Sequence, residues 1–233
     1  MSQILVIIFT TIILLIIIGI LKRIFYFQSD KSYLQLDEKY KEFTIKHLYG
    51  LKLDNNYKRI IIYCPSNKKN ISYIQNKLIL LHNLGYNLIT IDYSGFGHSK
   101  GIPNEQQLYD DVCLITAMVL QEYSKDNIII YGEQLGSSLA AYTARRYDIP
   151  YLILESPLIN IKYIFNQKFH KLLHIFCKEF NSIIYLSGYN GNTLVLYTEN
   201  DHINEFIPFS KMQIMIKNNN ELPLETINMF IET

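Results

Sequence analysis

The stretch Gly132-Glu133-Gln134-Leu135-Gly136 lies between an apolar run, Asn127 to Tyr131, and a segment with helical character, Ser137 to Tyr147. Glycines at its first and last positions allow a strand to turn sharply into a helix. Such a turn holds its central side chain exposed above a sheet, with strained backbone angles. We therefore predict a strand, a tight turn and a helix, with Gln134 at the apex of the turn.

This setting is that of the nucleophile elbow, G-x-S-x-G, whose central residue is a serine. Gln134 stands at the serine position, between Gly132 and Gly136. A glutamine amide cannot replace the hydroxyl, because its nitrogen lone pair is delocalised into the carbonyl and it offers no ionisable proton to a neighbouring base. The sequence predicts the scaffold of an enzyme that uses a nucleophilic serine, without the serine oxygen that would attack the substrate.

Short β-branched runs alternate with helical periods along most of the chain. The predicted strands are Ile60 to Cys64, Leu88 to Asp92, Ile128 to Tyr131, Leu152 to Leu154, Leu194 to Tyr197 and Gln213 to Lys217. The predicted helices are Ile71 to Leu84, Glu105 to Tyr123, Leu135 to Tyr147 and Pro223 to Ile231. Because most of these strands are apolar throughout, they suit burial on both faces. The pattern predicts an α/β fold, a mostly parallel central sheet with helices on both faces.

The remaining segments define the predicted domain organisation. Residues 1–27 form an N-terminal anchor, residues 28–58 a connector with abbreviated first strands, and residues 59–233 the α/β domain with an insertion at 158–190. Within the connector, Glu42 to Lys46 and Leu51 to Leu53 predict a short hairpin that turns around Tyr49-Gly50. The aromatic-rich segment Ile161 to Tyr185 is predicted to be a lid or insertion.

Composition excludes several classes of function. With 22 basic and 21 acidic residues, the net charge of +1 gives no field for holding nucleic acid. Cys64, Cys113 and Cys177 are too few and too scattered for a disulfide framework, and none forms a C-x-x-C pair. The sequence therefore predicts no metal site and no cofactor. The cysteine content is typical of a protein in a reducing compartment.

The segment from Ile4 to Leu21 predicts a membrane anchor. It carries no charge, and at about 1.5 Å per residue in a helix it is long enough to cross the hydrocarbon core. A cleaved signal peptide would begin with basic residues and end at a small-residue cleavage site, and neither is present. Lys22 and Arg23 follow the segment, so the positive-inside bias predicts a single-pass protein with its domain in the cytoplasm.

A longer motif carries a resemblance to a known family. Asp92 to Pro103 reads D-Y-S-G-F-G-H-S-K-G-I-P, and Leu108-Tyr109-Asp110-Asp111-Val112 follows it. This segment resembles D-Y-x-G-[YF]-G-x-S-x-G-x-P of the α/β-hydrolases, and Leu154 to Leu158 and Val195 to Phe206 resemble later parts of the same family. The closest likeness is to the membrane-associated serine hydrolases that remove palmitoyl groups from cytoplasmic proteins. The resemblance implies an α/β-hydrolase fold and an acyl chain or acylated protein as partner.

The resemblance also assigns site positions. It places the catalytic acid at Asp201, the degenerate nucleophile at Gln134 and the oxyanion-binding positions at Ser66, Asn67 and Leu135. The family's histidine, expected near the C-terminus, has no counterpart, because no histidine follows position 202. In the oxyanion loop the family reads roughly His-Gly-Asn-x-x-Asn-Ile-Ser, and residues 65–72 of this chain depart from it at the first two positions.

These residues leave three hypotheses open. A triad that has lost its nucleophile and base loses nearly all of its catalysis, so the first is an inactive relative with a binding or interaction role. The second is an ester or thioester hydrolase with a rearranged site, whose candidates are Ser66, Ser137, Ser138, His98 and His202. The third is a structural membrane protein whose partner contacts lie on the aromatic insertion. For Asp201, the sequence favours a structural role, capping a turn at a strand end.

Overall fold

A computed structural model describes residues 2–27, 30–160, 180–201, 203–217 and 222–232; within the first helix, the side chains of residues 2, 18 and 21–26 lie outside the described set. In this part of the chain eight strands form one sheet. They are β1 (Lys41–Ile45), β2 (Leu48–Leu53), β3 (Ile60–Cys64), β4 (Asn87–Ile91), β5 (Ile128–Glu133), β6 (Tyr151–Glu155), β7 (Asn192–Tyr197) and β8 (Met212–Met215). Their order is β1-β2-β4-β3-β5-β6-β7-β8.

The six strands from β3 to β8 run parallel, and only the pairs β1·β2 and β2·β4 are antiparallel. The mostly parallel sheet predicted from the sequence is therefore confirmed. The described α-helices are α1 (Ser2–Tyr26), α2 (Gln75–His82), α3 (Glu105–Val119), α4 (Gly136–Tyr147), α5 (Ser182–Leu186) and α6 (Leu224–Glu232). Short 3-10 turns occupy Ile71–Ile74, Lys125–Asn127 and Ile207–Phe209.

Alternate residues of the buried strands supply two separate cores. Ile60, Ile62, Ile128 and Ile130 face one side, where Leu139 of α4 and Val112 of α3 lie in the same cluster. The intervening side chains face the other side, together with α2 and α6: Ile61, Tyr63, Ile129, Tyr131, Leu78 and Phe230. Because both faces are covered, these strands read as continuous apolar runs and not as alternating ones.

The first hairpin differs from its prediction. The chain turns at Lys46 and His47, since Ile45 pairs with Leu48 and Lys46 adopts φ 53°. Gly50, predicted to lie in the turn, is a residue of β2 and pairs with Phe43. A Cβ at Gly50 would come within 2.6 Å of the Phe43 ring and 2.7 Å of the Thr90 carbonyl oxygen. Gly50 is therefore needed for close packing across the sheet, whereas Lys46 adopts the left-handed backbone conformation of the turn.

The connector is bonded to the domain along residues 30–40. Asn70 donates from Nδ2 to the carbonyl oxygens of Asp30 (3.1 Å) and Ser32 (2.5 Å). The Tyr33 hydroxyl donates to Asp92, the first residue of the hydrolase-like motif, and Lys31 donates to the Gly97 carbonyl oxygen at 2.8 Å. The polar residues predicted to link anchor and domain thus form a strap across the carboxyl ends of β3 and β4.

The predicted membrane anchor corresponds to α1. Within the described residues, none of the helices offers an apolar length sufficient to cross a membrane. Of the predicted lid, Ile161 to Tyr185, residues 161–179 lie outside the described residues, and α5 begins within its last part, at Ser182.

Candidate functional site

The elbow forms where β5 meets α4. Gln134 adopts φ 50°, in the left-handed region, between β5 and the start of α4 at Gly136. A Cβ on Gly132 would come within 2.5 Å of the Gly136 carbonyl oxygen, and one on Gly136 within 2.6 Å of the Pro65 carbonyl oxygen. Any larger residue would force the backbone apart at either position. The two glycines therefore fix a tight strand-to-helix turn with Gln134 at its apex.

The two serines beside the elbow are engaged in the fold. The Ser137 hydroxyl donates to the Gln134 carbonyl oxygen (2.5 Å) and accepts from the Leu158 amide (3.2 Å). The Ser138 hydroxyl lies 2.8 Å from the Tyr109 hydroxyl. Both serines are fully buried. Neither hydroxyl meets a histidine through these bonds, so the geometry gives neither serine the base that a nucleophile needs.

The oxyanion-loop positions lie beside the elbow. Gly136 packs against the carbonyl groups of Cys64 and Pro65, which places the start of the loop next to the turn. Asn67 is buried, Ser66 half-buried, and Leu135 fully buried directly after Gln134. Further along, Asn70 caps the 3-10 turn by accepting from the Ser72 amide at 3.0 Å. The loop is anchored at both ends, with Ser66 and Asn67 between them.

Asp201 binds the turn that follows β7. Its Oδ2 accepts from the Thr198 amide (2.7 Å), the Thr198 hydroxyl (3.0 Å) and the Ser156 hydroxyl (2.9 Å). The link to the elbow is indirect, because Ser156 follows Glu155, whose carbonyl oxygen accepts from the Gln134 amide at 2.9 Å. The carboxylate caps a turn and ties β6 to β7, which is the arrangement expected of a structural aspartate.

Of the two candidate histidines, one is described. The His98 ring stacks on Tyr33 with 3.8 Å between centroids, and it makes a T-shaped contact with Tyr49 with 4.9 Å between centroids. Its amide donates to Asp92 at 3.0 Å. Burial raises the pKa of the Asp92 carboxyl, which also binds the Ile71 amide at 3.0 Å. His98 therefore belongs to the packing of the strap, and His202 lies outside the described residues.

A serine, histidine and aspartate cluster that the sequence reasoning missed lies at the first hairpin. His47 Nε2 lies 2.8 Å from Ser94 Oγ and 3.2 Å from Asp111 Oδ1. The Ser94 hydroxyl also donates to Asp111, at 2.9 Å. One imidazole nitrogen contacts both partners, whereas a triad uses one nitrogen for each. Ser94 is also fully buried. This cluster is structural and joins the hairpin, the motif loop and α3.

A second missed cluster lies under the elbow, on the opposite face of the sheet. Lys77 Nζ lies 2.9 Å from Glu155 and 3.4 Å from Glu133. The Tyr63 hydroxyl donates to Glu133 (2.6 Å) and the Tyr131 hydroxyl to Glu155 (2.7 Å). A cavity of about 410 Å³, lined in part by Lys77 and Glu133, borders this cluster. The sequence offers one indication of this cluster: side chains alternate along β5, so Glu133 lies on the same face of the sheet as Tyr131.

Metal ligands are not gathered in this region. Among the described residues, no three histidine, cysteine, aspartate or glutamate side chains are placed to hold a metal ion together.

The sheet order, the elbow and the loop after β3 define a protein of the α/β-hydrolase superfamily. Residues 56–207, more than half of the chain, match the family described as serine aminopeptidase, S33, and the chain belongs to that family. The superfamily membership inferred from the motif is thereby confirmed.

Three relatives show how far the likeness extends. The chain is 32% identical over 123 residues to human alpha/beta hydrolase domain-containing protein 17C, and this match covers 52% of this chain and 36% of the relative. It is 36% identical over 86 residues to the Caenorhabditis elegans alpha/beta hydrolase domain-containing protein aho-3, covering 34% of this chain and 26% of the relative. The match to uncharacterized protein R595 of Acanthamoeba polyphaga mimivirus is 29% over 200 residues, 72% and 67% of the two chains. The matches thus span only about a quarter to a third of the first two relatives.

Solved structures agree on the fold. The Pyrococcus furiosus esterase Pf2001 superposes with a TM-score of 0.69 at 17% identity, over 88% of this chain and 98% of the esterase. An alpha-beta hydrolase from Vibrio vulnificus gives 0.68 at 15% identity, over 84% and 80%. At such identities these similarities establish the architecture alone.

Proposed function

We propose that this protein binds an acyl chain or an acylated protein at a hydrolase-like site and does not cleave it. One observation carries the proposal: Gln134 occupies the apex of the elbow, where φ is 50° and two glycines fix the turn. Its amide has no proton that a base could remove at neutral pH, so attack on a carbonyl carbon from this position is not available.

The surrounding side chains support the same proposal. Ser137 and Ser138 are buried and bonded to neighbours that are not bases. Asp201 is engaged by Thr198 and Ser156, as a structural carboxylate would be. The choice of an acyl ligand rests on the resemblance of Asp92 to Pro103 to the palmitoyl-removing hydrolases.

The test combines a covalent probe with a turnover assay. The full chain in detergent is incubated with a fluorophosphonate and, separately, with palmitoyl-coenzyme A as a thioester. We expect no adduct, no thiol release above buffer, and saturable binding of a palmitoyl thioether that cannot be cleaved. The variant Gln134→Ser should also remain inactive, because no described base faces the elbow.

Two outcomes would reverse this proposal in favour of an active ester or thioester hydrolase with a rearranged site. One is labelling of a single serine by the fluorophosphonate. The other is turnover that Ser137→Ala or Ser138→Ala abolishes while Ser187→Ala, on an exposed serine after α5, leaves it unchanged. Absence of thioether binding would refute the binding role itself.

We further propose that α1 holds the protein at a membrane, with the domain on the cytoplasmic side. The large apolar side chains of α1 between Ile4 and Ile17 are 40–65% exposed. Exposure of that much apolar surface to water is unfavourable, at about 25 cal/mol per Å². Lys22 and Arg23 supply the charges that favour this orientation.

Vesicle flotation tests the membrane proposal. The full chain should float with phosphatidylcholine vesicles, and Leu14→Asp in α1 should reduce the floating fraction. The matched control is Ile102→Asp, which alters a residue that is 67% exposed outside α1 and should leave flotation unchanged. Equal flotation of the wild type and Leu14→Asp would refute the role of α1.

A further inference from the structure

The cluster under the elbow holds more negative than positive charge. Its charged groups are the carboxylates of Glu133 and Glu155 and the ammonium group of Lys77, with side chains 12%, 0% and 13% exposed. Glu133 and Glu155 are direct neighbours in the β5–β6 register. Two carboxylates with one ammonium leave one buried negative charge unbalanced, which a low-dielectric interior strongly disfavours.

The groups that face Glu155 come from three elements. Lys77 reaches it from α2, Tyr131 and Glu133 from β5, and Tyr63 stands behind Glu133 from β3. Burial raises the pKa of both tyrosines well above their ordinary value, so their hydroxyls remain donors. An additional proton must therefore bind to one of the carboxyl groups, and Glu155 is the one without solvent exposure.

Both carboxyl groups belong to strand ends that build the site. Glu133 immediately precedes Gln134, and the Glu155 carbonyl oxygen accepts from the Gln134 amide at 2.9 Å. Ser156 follows Glu155 and donates to Asp201 at 2.9 Å. Repulsion between the two carboxylates would push apart the same backbone that carries the elbow and the Asp201 turn.

We propose that Glu133, Glu155 and Lys77 form a one-proton switch that sets how firmly the ends of β5 and β6 hold the elbow. With a proton on Glu155, one carboxylate faces one ammonium group and the strand ends are held together. When that proton is lost to water, the two carboxylates repel each other and the elbow loosens. The cavity beside Lys77 and Glu133 brings solvent to the edge of the cluster. Burial, followed by the charge of Glu133, raises the pKa of Glu155 to about 7, so the change falls at neutral pH.

The experiment reads the elbow and the carboxyl group separately. The full chain in detergent, labelled with ¹³C at glutamate Cδ and ¹⁵N in glutamine, is titrated from pH 5.5 to 8.5. The Glu155 carboxyl resonance and the Gln134 backbone amide should move together with one midpoint near pH 7. In Glu155→Gln the Gln134 transition should vanish. In Glu133→Gln the Glu155 midpoint should fall, because the neighbouring charge is gone.

The matched control is Glu122→Gln, which changes an exposed glutamate paired with Lys52 and should leave the Gln134 transition unchanged. A Gln134 amide that does not titrate in the wild type would overturn the proposal. So would a transition that persists in Glu155→Gln, or an unchanged Glu155 midpoint in Glu133→Gln. None of these readouts requires a ligand, so they stand apart from the test of acyl binding.

Discussion

Replacing Asp111 with Asn should weaken the attachment of the motif loop to α3. Asp111 is buried, and every polar group that faces it can donate: the Ser94 amide at 2.7 Å, the Ser94 hydroxyl at 2.9 Å, Gln107 Nε2 at 3.0 Å and His47 Nε2 at 3.2 Å. An asparagine of the same shape offers one acceptor oxygen in place of two. Its amide nitrogen must then face a donor.

The magnitude follows from the bonds that are lost. A hydrogen bond to a charged acceptor contributes about 1.5–3 kcal/mol, and a buried donor left without an acceptor adds a desolvation cost of about 1–3 kcal/mol. If the asparagine oxygen keeps the donors at Oδ1, the Ser94 amide at Oδ2 loses its acceptor. Since part of the cost is relieved by adjustment, we expect a loss of about 2–4 kcal/mol, which lowers Tm by roughly 5–15 °C in a domain of this size.

Thermal unfolding of the full chain in detergent, followed by tyrosine circular dichroism, measures this loss. The neighbouring variant Asp110→Asn is the matched control, because Asp110 is exposed and accepts only a single described side-chain bond, from Gln106 at 3.0 Å. The control should change stability by less than about 0.5 kcal/mol. An Asp111→Asn protein that melts with the wild type would refute the conclusion that this carboxylate anchors the loop.

Three further changes probe other parts of the domain. Gly136→Ala should cost about 1–3 kcal/mol in urea unfolding, because its Cβ would overlap the Cys64 carbonyl; an unchanged midpoint would contradict the packing argument. Glu155→Gln should stabilise the protein by up to about 3 kcal/mol at pH 8 and little at pH 5. The reason is that the pKa of Glu155 is raised from 4.5 to about 7 in the folded state, so the wild type loses stability as the pH rises through this range; a pH-independent difference would contradict this. Tyr33→Phe should cost about 1–3 kcal/mol by removing the donor to buried Asp92, and an equal thermal midpoint would exclude that bond as a stabilising contact.

The sequence predicted the central strands well because their residues are buried on both faces. Ile60 to Cys64 was predicted at its observed bounds, and the apolar run of β5 was predicted from Ile128. Local signals suffice in such runs, since no alternative pattern competes with continuous burial. The elbow could be predicted equally well, because its two glycines stand between a strand pattern and a helix pattern.

Contacts between distant residues were not predictable from these patterns. The hairpin turn was misplaced because glycine is typical of turns, whereas Gly50 is required by the ring of Phe43 across the sheet. Asp111 belongs to the motif, but its partner His47 lies 64 residues earlier in the chain. Glu133 and Glu155 become neighbours only through the β5–β6 register. Side-chain clusters of this kind depend on tertiary pairing and leave no periodicity in the sequence.

The elbow itself has a structural role that is independent of catalysis. A non-glycine residue in the left-handed region costs of order 1–3 kcal/mol, and Gln134 adopts it without the reactive group that would justify the strain. The turn nevertheless joins β5 to α4 and seats Gly136 against the end of β3. Helix α4 in turn covers one face of the sheet with Leu139, Ala140 and Ala144. Relaxing the turn would shift that helix. The packing of the fold is therefore sufficient to maintain the elbow in a chain without the serine nucleophile. The turn is therefore a consequence of the architecture, whereas the chemistry at its apex depends on the side chain of Gln134.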